Sequence, residues 1–216
     1  MDIEATFHLL PQLLKGATVT LQIAVLAAVT ALVLSFLVAF ARIAPWRLLR
    51  IATAAYVEIL RGTSAIVQLF YLFFALPAFG ITLSATTTGV IGLAMNFSAY
   101  GSEVVRGSLN SIDFRQLEAA KALGLKWYQT YRLVIIPQAL AIMLPPFGNL
   151  LIELVKATSL VSLITLTELT FAGRQMVVTT GQEFEVWGLV LILYFLMAYP
   201  LTWLVRLAER RTTRFR

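Results

Sequence analysis

The sequence predicts an all-α integral membrane protein with five transmembrane helices and one short cytoplasmic helix. Of its 216 residues, 59% are hydrophobic and only 13% are charged, whereas soluble domains are roughly 45–50% apolar and about 25% charged. Five apolar stretches are each long enough to cross a bilayer, which takes about 20 helical residues. The basic residues also collect on one side of these stretches. Together these observations exclude a water-soluble domain, and we expect a single transmembrane domain over residues 1–216.

The five predicted spans follow one another along the chain. They cover residues 14–41, 51–81, 87–108, 133–166 and 186–205. The first span has no charged residue between Lys15 and Arg42. Residues 167–185 are polar with short apolar runs, and we expect them to be re-entrant or outside the membrane.

The basic residues predict the orientation of the bundle. Thirteen of the 17 Lys and Arg residues fall on one face: Arg42, Arg47, Arg50, Arg106, Arg115, Lys121, Lys126, Arg132, Arg206, Arg210, Arg211, Arg214 and Arg216. The other face has Lys15 and Arg174, and Arg61 and Lys156 fall within helical stretches. Because Lys and Arg accumulate in cytoplasmic loops, we expect the N-terminus outside the cell and the C-terminus in the cytoplasm.

The largest cytoplasmic connection, residues 116–126, predicts a short helix. It is composed mainly of Gln, Leu, Glu, Ala and Lys, which are good helix formers, and Gly124 is typical of a helix C-terminus. Leu117, Ala120 and Leu123–Gly124 share one face, and a short helix with such a small-residue face can dock in the groove of a partner. The composition alone leaves an ordinary surface helix equally open.

Three acid–base pairs at spacing i, i+3 lie within the helical stretches. They are Glu58/Arg61, Glu103/Arg106 and Glu153/Lys156. The first two belong to near-copies, Glu-Ile-Leu-Arg-Gly-Thr and Glu-Val-Val-Arg-Gly-Ser, near the cytoplasmic ends of two antiparallel spans. Because charges inside spans are costly, we predict a cross-helix cluster of Glu58, Arg61, Glu103 and Arg106. Pairing within each helix, with side chains that snorkel to the interface, is the alternative.

The third pair lies deep in the fourth span, shortly after Pro145-Pro146. Prolines remove backbone donors and clash with the preceding turn, so we expect a broken helix that lines a cavity. The predicted substrate pathway consists of Asn149, Glu153, Lys156, Thr158 and Ser159, with Gln68 from the second span. The ammonium of Lys156 would bind a carboxylate or another anionic group. The alternative is that Glu153 and Lys156 neutralise each other in packing.

Several motifs between residues 15 and 165 are specific in combination. Glu118-Ala119-Ala120 is followed by Gly124 and, after a fixed gap, by Ile136-Pro137. Further motifs occupy residues 15–21, 58–63, 67–70, 99–100, 103–107, 136–139, 145–149 and 156–160. The chain thus resembles the permease subunits of ABC importers, whose cytoplasmic "EAA" loop has this pattern, and in particular the branch that imports histidine, glutamine and arginine.

This resemblance implies a type I ABC importer permease in the bacterial inner membrane. It implies that Glu118, Ala119, Ala120 and Gly124 couple the permease to an ATPase dimer, which binds ATP and Mg and leaves this chain without a cofactor. It also implies a second permease, identical or paralogous, and an external solute-binding protein. The implied solute is a polar amino acid or a related zwitterion such as a compatible solute.

The chain departs from the family pattern at three positions. Arg115 stands where the family usually has Gly, Ser64 where it has Pro, and Ala157 where it has an acidic residue. The last departure touches the expected pathway and therefore leaves the solute open.

Other functions are less consistent with the sequence. No phosphate-binding loop of the form Gly-x-x-x-x-Gly-Lys-Ser/Thr occurs, so uphill transport needs ATP hydrolysis by a partner. A self-contained secondary transporter or channel is the alternative, but such proteins often have paired repeats, and the repetition seen here is limited to the short Glu-x-x-Arg-Gly motif.

Without cysteine and with one histidine, a metal site or a membrane-embedded enzyme is not expected. Nucleic-acid binding is not expected either, because the arginines lie at the membrane edges.

Overall fold

Helices make up the regular structure of the part of the chain that the computed structural model describes, the backbone of residues 3–212 and the side chains of residues 10–208. The first five helices are α1 (Ile3–Ile43), α2 (Arg47–Gly62), α3 (Ala65–Phe70), α4 (Ala85–Asn110) and α5 (Phe114–Ala122). A π-helical turn (Tyr71–Ala75) and a 3₁₀ turn (Leu76–Phe79) continue α3. The remainder are α6 (Trp127–Thr130), α7 (Ile136–Ala157), α8 (Leu169–Thr180) and α9 (Glu183–Thr212). A π-helical turn joins α6 to α7, and a 3₁₀ segment extends α7 to Ile164. The predicted cytoplasmic arginines Arg210, Arg211, Arg214 and Arg216 have side chains outside the described residues.

Among the residues that the structure describes, three helical stretches are long and apolar enough to cross a membrane: Leu10–Ile43, Trp127–Ile164 and Glu183–Ala208. They correspond to the first, fourth and fifth predicted spans. A bent pair, α2 with α3, would add a fourth. The five-span count additionally requires α4, so it stays a prediction.

Helix α4 lies between its neighbours, which explains why its sequence is less apolar than that of the other predicted spans. Much of its surface is buried against protein rather than lipid. A Cβ atom added at Gly101 would lie 2.1 Å from Ser35 Oγ of α1, so the Ser35 side chain packs directly against the backbone of α4. Small residues allow this kind of close approach between membrane helices.

The second predicted span is wrong as a single straight helix. The chain bends by 109° between α2 and α3, where Thr63 and Ser64 adopt extended backbone angles. Side-chain amides replace the missing helical hydrogen bonds. Gln68 Nε2 donates to the Leu60 carbonyl at 2.9 Å, and Asn96 Nδ2 of α4 donates to Gln68 Oε1 at 3.1 Å.

The break expected at Pro145-Pro146 is also wrong. Helix α7 runs without interruption through both prolines. Membrane helices in general tolerate internal prolines when the freed backbone groups can be satisfied by neighbouring groups. The chain departs from α-helical geometry before and after α7 instead, in the π turn at 131–135 and in the 3₁₀ segment Thr158–Ile164, which is followed by Thr165 (φ 66°).

The polar segment 167–185, which we expected to be re-entrant or outside the membrane, contains the packed helix α8. Helix α8 places Leu169, Ala172 and Met176 in a buried cluster with Leu13 of α1 and Val186 of α9. It therefore fastens the beginning of α9 to the N-terminal half of α1.

Candidate functional site

The predicted cytoplasmic helix forms α5, with bounds shifted toward the N-terminus. The Asp113 carboxylate accepts a hydrogen bond from the Arg115 N–H at 2.9 Å and caps its first turn. At the other end Gly124 has φ +76°, its N–H donates to Lys121, and the Leu125 N–H donates to Ala120. This is a Schellman motif, so the predicted helix stop at Gly124 is confirmed.

The faces of α5 are divided between the protein body and the surface. Glu118, Ala119 and Gly124 are exposed, whereas Ala120 is buried. The prediction that Ala120 lies on the docking face is therefore wrong, because its methyl group packs inward. The exposed apolar side chains are Phe114 and Leu123, and the sequence analysis had not selected Phe114.

The predicted charge cluster forms only in part. The Glu103 carboxylate binds Arg106 one turn along α4, with 2.5 Å between Nη2 and Oε2. Its partner from another helix is Arg42 in the last turn of α1, not Arg61. Arg42 was missed because nothing in the local sequence pairs residue 42 with residue 103.

Glu58 and Arg61 take no part in this cluster. Among the described side chains, neither of them has an ion-pair partner. The Arg61 guanidinium instead lies over the ring of Tyr100, 5.5 Å from its centroid. The cross-helix cluster of four charges is therefore replaced by one paired carboxylate and a separate arginine.

Three of the predicted pathway residues form a polar stripe on α7: Asn149, Glu153 and Lys156. Their spacing of four and three residues keeps them on one side of the helix, and all three side chains are exposed. No ion pair joins Glu153 and Lys156 in the described part of the chain, so mutual neutralisation does not occur. Because charges facing lipid are costly, the polar stripe indicates a surface covered by water or by another chain.

Two cavities flank the polar stripe. The Arg61–Glu153 cavity, of about 440 Å³, is lined by Arg61, Tyr100, Glu103, Val104, Pro146, Asn149, Leu150 and Glu153. The Lys156–Arg206 cavity, of about 580 Å³, is lined by Ile152, Lys156, Tyr194, Phe195, Ala198, Tyr199, Thr202, Trp203 and Arg206. The structure thus assigns Glu153 and Lys156 to different cavities.

The other three predicted pathway residues have local structural contacts. Thr158 is fully buried and its hydroxyl donates to the Val155 carbonyl at 2.7 Å, so its placement on the pathway is wrong for this structure. The Ser159 hydroxyl donates to the Lys156 carbonyl at 2.8 Å. The Gln68 amide bridges the break between α2 and α3, where it donates a hydrogen bond to the Leu60 carbonyl and accepts one from Asn96.

Glu168 is a buried carboxylate that the sequence analysis missed. Its oxygens accept hydrogen bonds from the Phe171 N–H and the Tyr194 hydroxyl, both at 2.8 Å, and the Thr20 hydroxyl lies 3.3 Å away. Burial raises the pKa of this carboxyl, against the opposing effect of its hydrogen bonds. Glu is not a usual N-cap residue, so the sequence before α8 did not indicate that Glu168 caps this helix.

No group of three or more His, Cys, Asp or Glu that could hold a metal ion occurs among the residues described.

Comparisons with known families place this geometry in a defined group. Residues 31–214 match the family described as binding-protein-dependent transport system inner membrane component. A probable amino-acid ABC transporter permease protein of Sinorhizobium fredii, y4tF, is 40% identical over 208 residues, covering 94% of this chain and 87% of the relative. The glutamine transport system permease protein GlnP of Escherichia coli is 36% identical over 212 residues, covering 97% of each chain.

Solved structures have the same fold. A crystal structure of an amino acid ABC transporter with histidines superposes with a TM-score of 0.91 at 32% identity, over 98% of this chain and 99% of the other. The inward-facing MetNI methionine ABC transporter superposes with a TM-score of 0.71 at 21% identity, again over 98% and 99% of the chains.

Proposed function

The chain belongs to the family of binding-protein-dependent transport system inner membrane components, and from that premise we propose that it imports a polar amino acid or a related zwitterionic solute. It is the permease subunit of an ABC importer, has the all-α type I fold, and leaves ATP hydrolysis to a separate ATPase. The relatives named for glutamine and for amino acids support the solute class.

The polar stripe on α7 is the observation that carries the proposed pathway. Asn149, Glu153 and Lys156 are exposed on a helix that is otherwise strongly apolar. One chain leaves this stripe uncovered, so a second permease, identical or paralogous, would enclose it at a subunit interface. A water-filled path between the two subunits satisfies these side chains at membrane depth.

Helix α5 is the proposed contact with the ATPase dimer. Glu118, Ala119 and Gly124 lie on its surface, beside the exposed apolar side chains of Phe114 and Leu123. In this arrangement the ATPase, with its own ATP and Mg, drives α5 between two positions, and an external solute-binding protein delivers the solute. The permease itself binds no cofactor in this scheme.

The proposed topology follows from the distribution of basic residues. The protein is a multi-pass inner membrane protein. We place its N-terminus outside the cell and its C-terminus in the cytoplasm, with residues 1–216 forming one transmembrane domain that includes α4 as a fifth span.

The test is uptake of radiolabelled amino acids into proteoliposomes that contain the assembled importer. We expect Glu153→Gln and Lys156→Ala to lower uptake at least about tenfold while the complex still assembles and hydrolyses ATP. Leu140→Ala is the control, because Leu140 is exposed on α7 but lies outside the polar stripe. Full uptake by both stripe variants would refute the pathway, and uptake that continues without the ATPase would favour a secondary transporter.

A further inference from the structure

We propose that a groove between α1, α7 and α9, the apolar groove, binds an acyl chain of an anionic phospholipid from the cytoplasmic leaflet. It has a volume of about 590 Å³ and is lined by residues between 28 and 36 of α1, between 140 and 154 of α7 and between 204 and 208 of α9, together with Phe97 of α4. The inference depends on the proposed topology only for the choice of leaflet.

The chemistry of the lining selects a hydrocarbon. Among the described residues that line the apolar groove, Ser35 is the one with a polar side chain, and its hydroxyl already donates to the Ala31 carbonyl at 2.6 Å. A polar solute or a charged peptide would therefore find neither a counter-charge nor an available hydrogen-bond donor. An acyl chain needs neither, and it supplies dispersion contacts to walls that would otherwise border a void.

The shape of the apolar groove suits a chain that lies parallel to the helices. Its α7 wall extends from residue 140 to residue 154, about 21 Å of helix, and one leaflet of hydrocarbon is about 15 Å thick. The Phe36 and Phe147 rings stack between α1 and α7, with 6.1 Å between their centroids. A Cβ atom added at Gly148 would lie 2.5 Å from the Val205 side chain, so α7 and α9 also meet closely there. These contacts hold the three walls in place.

The mouth of the apolar groove faces lipid. All three walls belong to helices that are long and apolar enough to cross a membrane, and the rim residues Val29, Leu32 and Leu140 are roughly half exposed. On α7 the groove residue Leu151 follows Asn149 of the polar stripe by two positions, which turns it by about 160° around the helix. A second permease that covers the polar stripe therefore leaves the apolar groove facing the bilayer.

Basic residues beyond one end of the apolar groove select an anionic head group. Arg132 lies about two turns before Leu140, and Arg206 lies half a turn before Ala208, at the end that the proposed topology places in the cytoplasm. Both arginines are exposed and neither has an ion-pair partner among the described side chains. Four more arginines follow Ala208 in the sequence. Basic residues directly cytoplasmic of a span attract anionic lipids.

The experiment is photo-crosslinking of the purified permease–ATPase complex in phosphatidylcholine nanodiscs. A small fraction of phosphatidylglycerol carries a diazirine in one acyl chain, and mass spectrometry of the digested permease locates the labelled residues. We expect Leu144 and Phe147 to be labelled at least about tenfold more than Leu191, which is exposed on α9 outside the apolar groove. Added unlabelled phosphatidylglycerol should suppress this labelling, and additional phosphatidylcholine should not.

Substitutions test the chain and the head group separately. Leu144→Trp fills the apolar groove from its rim and should lower labelling of Phe147 at least about tenfold. Leu191→Trp is the matched control and should leave that labelling unchanged. Val29→Phe fills the groove from α1 and should act as Leu144→Trp does, so the test remains available if the tryptophan variant does not fold. Arg132→Gln combined with Arg206→Gln should abolish the preference for phosphatidylglycerol.

Four results would overturn the proposal. Equal labelling of Leu144, Phe147 and Leu191 would show ordinary surrounding lipid, and equal competition by the two lipids would refute the anionic head group. Unchanged labelling of Phe147 in folded Leu144→Trp and Val29→Phe would refute the groove as the site. The chain has no cysteine of its own, so a disulfide-linked permease dimer formed by Leu144→Cys would assign the groove to a second copy. Amino acid uptake by the same complex tests the proposed function separately.

Discussion

The Glu103 carboxylate of α4 is bound by Arg42 from the last turn of α1, and two residues earlier on α4 Gly101 packs against the Ser35 side chain of α1. Arg106 binds the same carboxylate from one turn further along α4. The Arg42 and Glu103 side chains are only 17% and 20% exposed. The ion pair therefore fastens the C-terminal end of α1 to α4.

Removal of Arg42 should destabilise the protein more than removal of Arg106. Removal of Arg42 leaves the mostly buried Glu103 carboxylate with only one of its two cationic partners, and we expect Arg42→Ala to cost about 1–3 kcal/mol of unfolding free energy. Arg106 is 40% exposed, so Arg106→Ala should cost less, about 0–1 kcal/mol. Unfolding of the detergent-solubilised protein measures both values, and equal losses would show that Arg42 is not the main partner.

Gln68 should stabilise the break between α2 and α3. Gln68→Leu keeps the side-chain size but leaves the Leu60 and Asn96 groups with fewer partners, at an expected cost of about 1–3 kcal/mol. Val67→Ala is the control, because Val67 is its exposed neighbour. Asn96→Ala combined with Gln68→Leu should cost less than the sum of the single changes, since the two amides share one network. Strict additivity would contradict the shared network.

Leu123→Asp should detach the ATPase while the permease remains folded. The side chain is 79% exposed at the end of α5, and a charge there would be desolvated in any packed interface. Co-purification of the ATPase with the permease measures the effect, and we expect it to fall at least about tenfold. Val178→Asp is a matched control, because Val178 is 81% exposed on α8, on the opposite side of the proposed membrane. Normal co-purification of the Leu123 variant would contradict docking through α5.

Glu168 should make the stability of the packing between α1, α8 and α9 depend on pH. Burial raises the pKa of its carboxyl above the ordinary value of 4.5, so the folded state holds this proton more tightly than the unfolded state does. The corresponding stabilisation is complete below pH 4.5 and is lost as the pH rises through the raised pKa of the folded state.

Comparison with Glu168→Gln isolates this effect. The unfolding free energy of the wild type minus that of the variant should decrease from pH 4 to pH 8. The measurement is thermal unfolding of both proteins across this range. A difference that increases with pH would show instead that the three hydrogen-bond donors around Glu168 outweigh its burial.

The local parts of the fold followed from the sequence. The apolar stretches predicted α1, α7 and α9, and the helix stop at Gly124 followed from its capacity for positive φ. The exposed residues Asn149, Glu153 and Lys156 could be grouped from their spacing alone, because a helix places such residues on one side whatever lies around it.

The sequence by itself determined the class of protein, since composition, apolar run length and charge distribution act along the chain and need no knowledge of its neighbours. The tertiary structure alone decided which groups meet: Arg42 with Glu103, Gln68 with the Leu60 carbonyl, Glu168 with Tyr194, and Arg61 and Glu153 in one cavity. Most of these partners are tens of residues apart, so their contact depends on how helices pack and on where the chain bends. A bend of 109° at Thr63 and Ser64, with a continuous helix through two prolines, shows that neighbouring helices can outweigh the local preferences of the chain.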